Sequence, residues 1–129
     1  YEFEFHTDDG GTTIYLSELT RPRNRLMSPL ILAGKEDVAA SAAISLATTA
    51  SYFSTATAET ATLAAGTEGQ IKTLMMVADG GDMAVTITNA GWKASGTGTI
   101  TFGTIGDAVT LMYINSKWFC IGNNGGTFA

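Results

Sequence analysis

Nine glycines fall between residues 66 and 106 and cut that stretch into apolar runs too short for helices of ordinary length. Between and after them lie five runs with the length and composition of β-strands: residues 70–77, 83–88, 99–102, 108–115 and 117–121. Short strands at near-regular spacing with glycine-bearing turns predict an all-β domain, a β-sandwich, jelly roll or small barrel. In VTITNAG, Val85 and Ile87 alternate with Thr86 and Thr88, the pattern of a sheet wet on one face. In YINSKWF, Asn115 and Ser116 sit between two aromatic-bearing arms and predict a tight hairpin turn. The chain has 129 residues, about the size of one domain.

The first 38 residues have a different texture and are expected to form an N-terminal arm, with residues 39–129 as the β domain. Tyr1, Phe3 and Phe5 alternate with Glu2, Glu4 and His6; Asp8, Asp9, Gly10 and Gly11 supply a turn; residues 12–16 resume a β-prone run. An extended β-hairpin follows, and because a lone hairpin is marginal in water, its aromatic face is expected to lie on another sheet or another chain. Pro22 and Pro29 then exclude a long helix, while Arg21, Arg23 and Arg25 alternate as a short basic comb. That comb suits either a solvated loop facing the acidic hairpin or an arm clamped onto an acidic neighbour. Leu30, Ile31 and Leu32 would anchor the arm, at roughly 1.5–3 kcal/mol for each side chain fully buried. The first residue is Tyr1 rather than Met, so an initiator, a propeptide or a leader is expected to precede it.

The least regular tract runs from 39 to 65. Residues 44–48 and 51–55 are expected to be short strands, and the Ala-rich stretch 36–43 has the propensity for a helical turn or two.

Composition excludes several function classes. A net charge of −5 and a pI near 4.6 argue against nucleic acid as a partner, because phosphate affinity comes from clustered Lys and Arg. No run approaches the 18 or more apolar residues of a membrane-spanning helix. The single Cys120, flanked by Trp118, Phe119 and Ile121, is expected to be a small buried apolar residue. A single histidine, His6, rules out a multi-histidine metal site. Asp79 and Asp82 bracket Gly80 and Gly81 as a turn would, and GTEG, GTGT and GNNGG lack the lysine and helix of a phosphate cradle. Neither a metal nor a cofactor is expected, nor an enzyme: a glycosidase needs two carboxylates facing one cleft, and no spacing here suggests that.

Three stretches, ISLATTASYFST, TLAAGTEGQIKTLMMVADGGDMAVTITNAG and GDAVTLMYINSKWFCIGNNG, together resemble β-rich virion proteins of tailed bacteriophages, in particular those of marine phages. The resemblance implies a small β domain displayed on a virion, most like a capsid decoration (cement) protein on the capsid exterior. Such proteins bind the major capsid protein, usually as homotrimers at local threefold positions, and some join the shell's sheets through an N-terminal arm by strand addition. The residues expected to contact a capsid are Tyr1, Phe3, Phe5, Arg21, Arg23, Arg25, Leu30, Ile31 and Leu32, chosen on physical grounds because no motif match fixes them. The alternative is a tail-fibre or head-fibre module that binds host surface glycan, with Trp92, Asn123 and Asn124 exposed on one patch.

Overall fold

A computed structural model of the chain describes residues 2–5, 14–17 and 34–129. The chain divides into two compact units, Tyr1–Ile31 and Leu32–Ala129. In the first, β1 (Glu2–Phe5) and β2 (Ile14–Ser17) pair antiparallel with Phe3 opposite Leu16 and Glu4 opposite Tyr15, so the expected hairpin forms. The turn at Asp8–Asp9–Gly10–Gly11 and the candidate contacts Tyr1, Arg21, Arg23, Arg25, Leu30, Ile31 and Leu32 lie outside the described residues.

The second unit is a β-sandwich of two five-stranded mixed sheets. Its strands are β3 (Lys35–Asp37), β4 (Ala42–Ala43), β5 (Ala50–Ser54), β6 (Glu59–Leu63), β7 (Ile71–Ala78), β8 (Met83–Thr88), β9 (Thr97–Phe102), β10 (Ala108–Ile114), β11 (Lys117–Asn124) and β12 (Thr127–Phe128). Sheet I runs β11-β10-β7-β5-β3 and sheet II runs β12-β9-β8-β6-β4. From β3 to β8 the chain visits the sheets in strict alternation, and each strand pairs parallel with the one two places on. The parallel half is therefore a ribbon wound three times around one core, and a jelly roll, built from antiparallel strands, does not describe it. The remaining strands fold back antiparallel: β9 on β8, β10 on β7, β11 on β10 and β12 on β9. No barrel closes among the described residues, although the chain leaving β8 bridges toward sheet I, where Ala90 pairs with Trp118.

The winding explains why no internal repeat can be read from the sequence. Partners Lys35↔Ala50, Ala42↔Ala61, Ala50↔Thr73 and Glu59↔Met83 are 15, 19, 23 and 24 residues apart, so successive turns lengthen and no fixed period exists. It also moves the boundary expected at residue 38. β3 pairs with β5, and Val38 is buried in the core, so residues 35–38 belong to the sandwich.

Two further expectations are corrected in this region. Residues 36–43 form no helical turn: β3 and β4 take them into the sheets, joined through Ser41 at φ 60°, because pairing with β5 and β6 outweighs alanine's helix propensity. Residues 44–48 form no strand; only Ile44, whose N–H donates to Thr62 O, is held in the core. The expectation at 51–55 is met by β5.

The core lies between the sheets. Inward positions alternate cleanly, as in β8, where Met83, Val85 and Ile87 are buried, and β7, where Lys72, Leu74 and Met76 are buried. Phe53 of sheet I meets Phe102 of sheet II with ring centroids 5.1 Å apart. Trp118 is fully buried, stacks edge-on against Tyr113 at 5.0 Å and donates from Nε1 to Ala64 O. Its ring lies over Gly66, where a Cβ would come within 2.6 Å of the indole. The β10–β11 hairpin turns as expected: Asn115 and Ser116 both take positive φ, 52° and 61°, and the Glu68 carboxylate accepts both of their N–H groups.

Candidate functional site

Phe3 and Phe5 stand at alternate positions of β1, in register with Leu16 and Ile14 of β2. They are the expected arm residues that the described backbone brings together.

The glycan alternative names Trp92, Asn123 and Asn124. Trp92 is half-buried rather than free: its ring packs edge-on against Phe128 at 4.8 Å, Nε1 donates to Ala129 O, and Gly98 leaves the room, since a Cβ there would meet the indole at 2.6 Å. Beside it is an open depression of about 300 Å³ lined by Gly91, Trp92, Phe119, Cys120 and Phe128. Asn123 and Asn124 do not line it. Both are exposed, but their amides serve the fold: Asn123 bonds Gly126 in both directions, closing the turn before β12, and Asn124 Nδ2 donates to Gly106 O. Asn123 and Asn124 pair with Val109 and Ala108 and so face opposite sides of sheet I, which keeps the three residues off one patch, and their amides are tied to turns.

Cys120 is exposed, not buried as its neighbours in sequence suggested. It lies opposite Leu111 on the outermost strand of sheet I, next to a bulge between Thr110 and Leu111, where the second sheet does not cover it. The Gly80–Gly81 turn between Asp79 and Asp82 is anchored by Thr55, whose Oγ1 donates to Gly81 O and accepts from Gly80 N. Among the described residues no group of three or more His, Cys, Asp or Glu is placed to hold a metal ion.

One polar constellation was not legible as a site in the sequence. Lys72 points inward from β7 and is fully buried, and its Nζ donates to Ser45 O at 2.7 Å, Thr48 O at 2.8 Å and Thr48 Oγ1 at 2.8 Å. Three bonds saturate an ammonium group. The neighbouring Glu36 carboxylate accepts from Ser51 Oγ at 2.7 Å and from Ser45 N at 2.9 Å. Burial lowers the Lys72 pKa from its ordinary value, while the Glu36 charge acts in the opposite direction. Every proton-bearing position of the amine is committed to the 45–48 loop, so the cluster works as a clasp that ties the loop and β3 to β7. The signal was a lysine at an inward position of IKTLMMV, between residues that alternate as core.

Comparison of the chain with protein-family models, with curated proteins and with solved structures finds no match.

Proposed function

We propose that the chain is a structural protein of a bacteriophage virion, a capsid decoration (cement) protein that binds the major capsid protein and stabilises the head against the pressure of packaged DNA. What supports this is the division of labour between two units: a β-hairpin unit that carries Phe3 and Phe5 at alternate positions of β1, and a compact sandwich in which Glu36, Lys72 and Asn123 serve its own loops. A hairpin of four-residue strands is marginal alone, so a second sheet is its natural partner, and strand addition supplies main-chain hydrogen bonds without charged side chains. Each copy would bridge neighbouring capsomers at local threefold positions, so that many contacts must break together.

The test is removal of residues 1–18. The shortened chain is expected to keep the sandwich's β-sheet circular dichroism and to lose co-sedimentation with heads; retained binding would overturn the role of the arm. Locating the protein's density on the particle by cryo-electron microscopy distinguishes a shell position from a tail position.

The fibre alternative keeps one observation in its favour, the aromatic-lined depression beside Trp92. It predicts glycan binding that Trp92→Ala abolishes, and a glycan array without signal counts against it.

A further inference from the structure

Sheet I turns a face of unusual chemistry outward. Along β5, β7 and β10 the outward positions carry no charge; Tyr52, Met75 and Met112 are half-buried there, and Ile71 and Ile114 are exposed. Register places these side chains side by side: Tyr52 beside Met75, Ile71 beside Met112, and Met112 beside Phe119 of β11. In the middle, Thr73 and Thr110 bond each other, Oγ1 to Oγ1 at 3.3 Å, which satisfies the central polar groups within the face. Charged outward residues stand only at the margins, Lys35 and Asp37 on β3 and Lys117 at the start of β11.

A centre without charge, in which apolar side chains surround a satisfied threonine pair, and a margin of both signs are the layout of a specific protein contact. Four strands about 4.8 Å apart, the longest of seven or eight residues at about 3.3 Å each, give a flat footprint of roughly 450 Å². Two such faces together approach the roughly 1,000 Å² at which specific interfaces begin, before side-chain relief adds to the accessible area. An uncharged centre gains nothing from a strongly acidic or basic partner. In a chain of net charge −5, it is also the surface on which a second copy can approach with least repulsion.

We propose that the outer face of sheet I packs against the same face of a second copy of this chain, forming a twofold pair. The contact is isologous, so each residue that gains a neighbour does so twice, and sheet faces meet as they do within a sandwich. The pairing does not rest on the cement assignment: it is a property of the free protein, and the grouping of copies on a shell is set by the shell.

The test is the solution mass of the full chain by sedimentation velocity from about 1 to 100 µM. Wild type is expected at twice the 13.4 kDa of one chain at the upper end, with the pair unchanged or tighter in 1 M salt, because burial of apolar surface is not screened. Met112→Lys, and independently Met75→Lys, are expected to raise the dissociation constant at least about tenfold with unchanged circular dichroism. Thr86→Lys on the opposite sheet leaves the mass as it is. A single copy at every concentration, the result if residues 1–33 of the same chain cover the face, overturns the pairing. So does dissociation by salt, a three-copy mass, or a pair that survives both lysine substitutions.

Discussion

The outward faces of the two sheets are built on the same architecture and finished in opposite ways. Sheet II presents threonine in ranks: Thr62, Thr86 and Thr99 lie side by side, as do Thr60, Ala84, Thr101 and Thr127. Sheet I presents Tyr52, Ile71, Met75, Met112, Ile114 and Phe119. A β-branched hydroxyl side chain favours the extended backbone and stays hydrated, so sheet II needs no cover. The large apolar side chains of sheet I favour the same backbone and gain by being covered. Strand propensity is thus met on both faces, and the difference between them is reserved for association.

Both faces rest on one shared core, and its removal has the largest effect. Phe102→Ala deletes the ring against Phe53 and is expected to cost about 3–5 kcal/mol, read as a large fall in the urea midpoint. Lys72→Ala strikes behind sheet I alone. It leaves a cavity and strands the carbonyls of Ser45 and Thr48, an expected loss of about 2–4 kcal/mol by the same measurement, with early exchange of amides in residues 44–48.

Lys72 also gives a pH signature. Its native pKa is lowered, so between that value and the ordinary 10.5 the unfolded chain holds the proton more tightly than the folded one. Its contribution to stability therefore rises with pH through that window and is least favourable below it. From pH 7 to 10 the urea midpoint of the wild type is expected to rise relative to that of Lys72→Met; parallel curves would show that Lys72 does not titrate differently on folding.

Single substitutions on the outward faces change stability least. Thr86→Val is expected to change stability by no more than about 0.5 kcal/mol, since it alters one rank of a solvated face. Met112→Lys is expected to cost similarly little in the separated chain while weakening the pair, so stability measured at low concentration and mass measured at high concentration move apart.

The two halves of the sandwich were legible to different degrees. Glycine turns marked β7 to β11 to within a few residues, and the Asn115–Ser116 turn was found because an I′ turn demands residues that tolerate positive φ. The tract from 35 to 63 was read less well. Its strands are two to five residues long and parallel, so their partners lie 15–24 residues away and local propensity for helix or strand decides nothing. Of the candidate sites, the hairpin was visible as alternation, whereas the clasp around Lys72 was not, because its acceptors are carbonyls that carry no side-chain signature.

Alternation and turn chemistry act between near neighbours, so the all-β class and the wet face at VTITNAG were readable along the chain. In VTIT and TGTITF every second residue is polar, which fixes a face toward water; IKTLMMVA and AVTLMYI are apolar at positions of both parities, which leaves open whether one face or two are buried. The cover that sheet II gives the inner face of sheet I, the exposure of Cys120 on the outermost strand, and the absence of Asn123 and Asn124 from the depression beside Trp92 follow, among the described residues, from the packing alone. Those outcomes depend on which strand lies beside which and on what packs across the sandwich, contacts between residues far apart in the chain that no local pattern encodes.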